Sequence, residues 1–143
     1  MNKDITSANA SACLYASLFP AGLKFSNFST DGAWTQENYE VVEHRMGVDG
    51  KMAAGYTPVE KEITFHFEAN SPTLDGLDLL LQTTEVSQTP IFGQIVVTCP
   101  SIKKTFTLVN CILTSYKLMS NAERVLSPRD ATFVCESITS VPL

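Results

Sequence analysis

The stretch Glu62–Ala69, "EITFHFEA", decides the fold class. Ile63, Phe65, Phe67 and Ala69 alternate with Glu62, Thr64, His66 and Glu68. A period of two puts the first set on one side of a strand and the second set on the other. One side is suited to a core, the other to water or a partner. Working outward, "IVVTC" (95–99) and "ATFVCESI" (131–138) also read as strands. "KTFTLVNCILTSY" (104–116) is different. Counted in twos, Phe106, Leu108 and Ile112 fall on one face and Val109, Cys111 and Leu113 on the other. A strand apolar on both sides is expected at the centre of a sandwich or beneath a neighbouring subunit. "NYEVVEHRM" (38–46) changes phase at Val41–Val42, which predicts a bulge or a bend.

One helix is predicted. In "NSPTLDGLDLLLQTT" (70–84), Ser71 is the expected N-cap and Pro72 the first helical residue. Asp75 and Asp78 suit the positive end of the helix dipole. Leu74, Leu77, Leu80 and Leu81 make one apolar stripe. Gly76 weakens the helix by about 1 kcal/mol relative to alanine. "SACLYASL" (11–18) and "AGLKFSNF" (21–28) read as short strand and turn, and "SPRD" (127–130) as a turn into the last strand. The sum is a mainly β chain: an antiparallel β-sandwich or partly closed barrel of roughly six to eight strands. It carries one short helix and a long hairpin loop, in a single domain over 1–143.

The chain has 143 residues, a hydrophobic fraction of 44%, a charged fraction of 17% and a net charge of −5. That describes a folded protein, and an acidic one is poorly suited to gripping nucleic acid. Residues 1–90 hold 12 acids against 5 bases, whereas residues 91–143 hold 3 against 5. Regions of opposite sign can complement each other between copies. Cys13, Cys99, Cys111 and Cys135 form no CxxC pair, and three of them lie in apolar runs, so buried reduced thiols are expected. The opening "MNKDITSANA" lacks the apolar run of an export signal, and no apolar run nears the ~20 residues of a membrane span. Synthesis and folding in a reducing cytoplasm, without a membrane partner, are expected.

"RMGVDGKMAAGYTP" (45–58) is the richest local feature. A phosphate loop needs GxxxxGK[ST], but Gly47, Gly50 and Gly55 do not keep that spacing and Met52 follows Lys51. A calcium loop needs alternating acidic oxygens, and Asp49 stands almost alone. What is left is a hairpin loop of about 12 residues, long for its kind, and long ordered loops of small residues usually carry function. The expectation is an interaction arm: Arg45, Met46, Gly47, Val48, Asp49, Gly50, Lys51, Met52, Ala53, Ala54, Gly55 and Tyr56. His44 and His66 are expected to be solvated or at an interface. A metal site from Glu43, His44, Glu62, His66 and Glu68 facing one another across a hairpin is the weaker alternative. No GxSxG occurs, and Lys103–Lys104 is a lone basic pair. No catalytic residue, metal site or cofactor is expected.

From "VVEHRMGVDGKMAAGYTPVEKEITFHFEANSPTLDGLDLLL" (41–81) to "RDATFVCESI" (129–138), the chain resembles the tail-tube proteins of contractile long-tailed bacteriophages, tube-initiator relatives included. The resemblance covers most of residues 35–140. It implies a β-sandwich flanked by a helix, with six copies forming a ring whose sheets join into an inner barrel. It further implies rings that stack into the tail tube, a loop at 47–57 that reaches a neighbour, and sheath and baseplate proteins as partners. DNA would pass through without specific binding, and the finished protein would sit in the virion tail. A carboxylate-lined lumen repels phosphate, which makes Glu40, Glu43, Glu62 and Glu68 the candidate lumen-facing acids. The alternatives within the class are a tube initiator near the baseplate and a tube protein of a type VI-like contractile injection system. Outside it stand an enzyme with a Cys or His site and a monomeric β-sandwich binding module.

Overall fold

The computed structural model describes residues 10–29 and 32–143. Most of the opening segment read above for an export signal lies outside the described residues. The strands are β1 (Ser11–Ala16), β2 (Phe19–Phe25), β3 (Trp34–Gln36), β4 (Val42–Met46), β5 (Met52–Tyr56), β6 (Lys61–Phe67), β7 (Gly93–Cys99), β8 (Lys104–Tyr116), β9 (Arg129–Cys135) and β10 (Ser137–Pro142). A helix, α1 (Thr73–Ser87), lies between β6 and β7. Every pairing is antiparallel, and the main path runs β2-β1-β7-β8-β9-β6-β3. Its two ends do not pair with each other, so the sheet folds over a core without closing into a barrel.

The long strand β8 is what folds the sheet over. Its first half pairs β7 on one side and β10 on the other, while its second half pairs β9. Between the halves sits Asn110, with a left-handed φ of 52°. The register against β7 slips there, from Ile95↔Leu108 to Gly93↔Cys111. Asparagine tolerates that conformation better than a branched residue. A bulge of this kind bends a strand and lets it pass from one sheet to another.

The bulge corrects the reading of β8. Counting in twos through residue 110 places Leu108 and Cys111 on opposite faces. In the structure Leu108 and Cys111 are both buried, and Phe106 and Leu113 pack against the same core. Val109 and Ile112 stand on the outer side. The strand is apolar mainly on one side, with a phase change in the middle. Its partner changes phase too: "ATFVCESI" is interrupted at Glu136, whose amide donates to the Val109 carbonyl (3.0 Å), and Asn110 Nδ2 donates to the Glu136 carboxylate.

The core is aromatic at its centre. Phe25, Phe65, Phe67 and Phe133 are almost wholly buried, and the Phe65 ring meets Phe25 edge-on at 4.9 Å between centroids. Phe65, Phe67 and Ile63 come from β6, so the alternation read in "EITFHFEA" is realised from Glu62 to Phe67, with Glu62, Thr64 and His66 outside, and the strand ends before Glu68 and Ala69. Leu74, Leu77 and Leu80 of α1 join the core. Ser71 serves as the cap, because its hydroxyl accepts the Thr73 amide (3.3 Å) while donating to the Ser26 carbonyl (2.6 Å). Gly76 has a packing role that its helix propensity hides. A Cβ at that position would stand 2.7 Å from a Leu23 methyl, so the glycine lets α1 lie close on β2.

The hairpin over 42–56 is more regular than the loop expected. Met52–Tyr56 is a strand, and the connection is short, because Met46 and Met52 are already paired.

Candidate assembly surface

β4 and β5 form a separate two-stranded sheet that pairs with no other strand among the described residues. The register is Val42↔Tyr56, Glu43↔Gly55, His44↔Ala54, Arg45↔Ala53 and Met46↔Met52. At the tip, the Gly50 amide donates to the Gly47 carbonyl (3.0 Å), and the Gly47 amide to the Lys51 carbonyl (2.7 Å). The Lys51 amide also donates to Asp49 Oδ1 (3.1 Å). Gly50 has φ 83°, which a Cβ-bearing residue resists. A Cβ on Gly47 would stand 2.7 Å from Asp49 Oδ1. The glycines and Asp49 therefore build a tight three-residue turn, and Asp49 is spent on the backbone.

Opposite residues on paired strands share a face, and successive residues alternate. One face of this ribbon thus carries Val42, Tyr56, His44, Ala54, Met46 and Met52. The other carries Glu43, Gly55, Arg45 and Ala53. The first face is apolar and has no cover: Tyr56 is 72% exposed, Met46 66% and Met52 63%. Val48 at the tip is fully open. Each long residue Glu43, His44 and Arg45 of β4 stands opposite a small residue of β5, so the ribbon is thick on one strand and thin on the other. An isolated two-stranded hairpin is marginal in water, and contiguous exposed apolar surface on a folded protein marks a contact site.

A second exposed apolar region lies in the segment after β8. Leu118, Met119, Val125 and Leu126 are all exposed. With Pro72 and Asp75 at the start of α1, Leu118, Met119 and Leu126 border an open depression. A polar cluster anchors this segment. Arg129, buried at the start of β9, donates to the Leu118 carbonyl, to Tyr116 Oη (2.8 Å) and to Asp78 Oδ1 (3.3 Å). Tyr116 Oη in turn donates to Asp78 Oδ1 (2.6 Å). Burial first, and the hydrogen bond to Asp78 second, push the Tyr116 hydroxyl pKa well above its ordinary value. Sequence reasoning missed this cluster. Asp78 reads as a helix-dipole residue and Arg129 as part of a turn, and only folding brings residues 78, 116 and 129 together.

The four candidate lumen acids lie on two different elements. Glu40 and Glu43 belong to the base and first strand of the hairpin, while Glu62 and Glu68 belong to β6 and its end. Glu62 is exposed and Glu68 half-buried. The histidines are likewise on different elements. His44 stands on the ribbon, and His66 on the outer face of the main sheet. His66 Nδ1 lies 2.7 Å from Asp130 Oδ1, and its Nε2 3.2 Å from Thr35 Oγ1. This chain of contacts ties β3, β6 and β9 across their polar side. No group of three or more metal-ligating side chains assembles among the described residues.

The family described as tail fiber protein gp32 matches residues 3–139. No curated protein matches the sequence. The fold is similar to that of solved chains from contractile machines. A chain of the sheath/tube terminator of an extracellular contractile injection system, PVC, matches with a TM-score of 0.66 at 10% identity, over 99% of this chain and 99% of that one. A chain of the anti-feeding prophage cap, its tube terminating cap, matches with a TM-score of 0.64 at 9% identity, over 100% and 94%. A chain of the PVC sheath–tube complex in its extended state gives 0.62 at 10% identity, over 98% and 93%.

Proposed function

We propose an assembly role for this chain, which belongs to the tail fiber protein gp32 family. Family and fold together give it a structural, tail-related part. Beyond that, six copies form a ring that stacks with others or caps a tube of such rings, and the β4–β5 ribbon is the arm that holds neighbouring copies. The observation that carries this reading is the ribbon itself. Its apolar face of Val42, Tyr56, Met46 and Met52 lies bare, and its strands pair with no other strand among the described residues. Covering it gives the hairpin the packing that two strands lack by themselves. The depression beside Leu118, Met119 and Leu126 offers a matching apolar surface, and Asp75 on its border suits Arg45 or Lys51 of an incoming arm.

In such a ring the open end strands of the sheet face neighbours, and the acids of β6 and of the hairpin line the passage for DNA, repelling its phosphates. Sheath and baseplate proteins are then the outer partners, and the finished protein resides in the virion tail. A single ring at one end of the tube is the second reading. It is favoured by full-length similarity to two terminator chains. Electron microscopy of the purified protein tests both. Rings that stack into tubes support the first reading, single rings the second, and a monodisperse monomer at high concentration overturns both. Replacing residues 42–56 by a short Gly-Ser link is expected to leave the melting curve of the remainder intact and to abolish ring or tube formation.

A further inference from the structure

Of the four cysteines, two have come together inside the fold. Cys111 follows the bulge in β8, and Cys135 ends β9. The registers Ile112↔Val134 and Val109↔Ser137 make them cross-strand neighbours. Both are buried, and their sulfurs lie 2.8 Å apart as free thiols. A disulfide needs about 2.05 Å and side chains aimed at each other from adjacent backbones. The pair meets the second demand and misses the first by under about 1 Å. Cys13 lies on β1 and Cys99 at the end of β7, so the chain carries its own comparison cysteines.

We propose that Cys111 and Cys135 are an oxidation site, which peroxide converts into a disulfide that pins β8 to β9 beside the bulge. A groove bordered by Pro58, Val59, Glu60, Ile112 and Val134 reaches Cys135 from outside, at the foot of the ribbon. Peroxide is small enough to use it during brief openings. The hydrogen bond from the Cys111 thiol holds the Cys135 pKa below its ordinary value, whereas that same bond and burial push Cys111 up. Cys135 borders the groove and Cys111 does not, so Cys135, as its thiolate, is the attacking sulfur. It attacks one peroxide oxygen, the O–O bond breaks, and the departing hydroxide takes up a proton to become water. Cys135 is left as a sulfenic acid. The Cys111 sulfur then attacks the Cys135 sulfur, the S–O bond breaks, and the departing hydroxide takes the Cys111 proton as a second water. Two thiols and one hydrogen peroxide give one disulfide and two waters, with two electrons passing from sulfur to oxygen. The bond closes a loop from residue 111 to residue 135, which restricts the unfolded chain.

The test begins with reduced, desalted protein and one equivalent of hydrogen peroxide under native conditions. The expected result is a mass loss of two hydrogens and a single cross-linked peptide pair joining Cys111 to Cys135. The melting temperature should rise by about 5 °C or more and return on reduction. The double variant C13S/C99S should behave identically. In C111S, Cys135 should accumulate as a sulfenic acid that dimedone traps, and in C135S Cys111 should label far less. Free, alkylatable Cys111 and Cys135 after treatment, or a cross-link to Cys13 or Cys99 instead, overturns the proposal. So does a bond that forms only in denaturant.

Discussion

Two regions of this protein are built from the same element and have opposite fates. β6 and the β4–β5 ribbon are both β structure with an apolar and a polar side. In β6 the apolar side supplies Phe65 and Phe67, both at 0% exposure, to a core shared with Phe25 and Phe133. In the ribbon the apolar side supplies Met46, Met52 and Tyr56, each more than half exposed. Amphipathic alternation shows that a face will be covered, but not by what. β6 finds its cover in its own chain. The ribbon is a separate sheet and finds none among the described residues. Stability should reside in the first region and assembly in the second, and substitutions can separate the two.

The largest effect is expected from Phe65→Ala. Its ring touches Phe25, Phe133, Phe67 and Trp34, with centroids between 4.9 and 6.4 Å. Truncation removes the buried area and leaves a cavity that rigid neighbours cannot fill. The expected cost is about 3–5 kcal/mol in urea denaturation, enough to unfold a marginal domain. A loss under 1 kcal/mol would show that the core repacks freely and would remove the contrast with the ribbon.

Arg129→Ala comes next. Arg129 holds Asp78, Tyr116 and the Leu118 carbonyl together, and its side chain is 7% exposed. Removing one partner of a buried pair strands the other, but Asp78 is 31% exposed and recovers part of its hydration. A cost of about 2 kcal/mol is expected, with increased proteolysis after β8, where the segment loses its anchor. Unchanged cleavage there would show that Arg129 does not hold residues 117–128.

Tyr116→Phe is smaller and depends on pH. The folded-state pKa of Tyr116 is raised above the ordinary 10.0, by burial first. A raised pKa means a contribution that is fully present below the unfolded value and is lost as pH climbs through the folded one. The contribution of Tyr116 should therefore be constant around neutrality and begin to fall above about pH 10. The phenylalanine variant should cost about 1 kcal/mol at pH 7 and lack that part of the alkaline decline. Parallel alkaline curves for the two proteins would deny Tyr116 this role.

How much of this was legible in the sequence depends on whether the deciding contact is local. The helix, its Ser71 cap and the alternation of β6 as far as Phe67 are set by neighbours in the chain, and each is found in the stretch where it was read. The bend in β8 is not. Asn110 reads as a polar residue in its turn, and only the slip of β7 from Leu108 to Cys111 reveals that two residues share one step. Gly76 likewise reads as a weakness, because the Leu23 methyls that require it are some fifty residues away in sequence. Of the ribbon, β4 was legible as a strand ending at Met46, whereas β5 reads as loop. Its small residues resemble a loop, and only the pairing with Val42–Met46 gives "MAAGY" its extended form.

The smallest effect on stability, and the one that tests the comparison most directly, is expected from M46S/M52S. These side chains close the tip of the ribbon on its apolar face, 66% and 63% exposed. Exposed substitutions away from caps and strained turns usually shift stability within about 0.5 kcal/mol. The isolated chain should therefore melt where the natural one does. Assembly should not survive so well. Two thioethers that enter a neighbour's apolar surface lose that burial when replaced by hydroxyls, at about 25 cal/mol per Å² removed from water. In the proposed ring every copy carries the same lesion, so the loss repeats at each contact. Analytical ultracentrifugation over a concentration series should show the variant remaining monomeric where the natural protein assembles. If the variant assembles normally, the bare face of the ribbon is not the contact, and the arm must act through Glu43, Arg45 and Lys51 on its polar side. Charge reversal at Arg45 with the methionines intact separates that outcome from the failure of the arm as a whole.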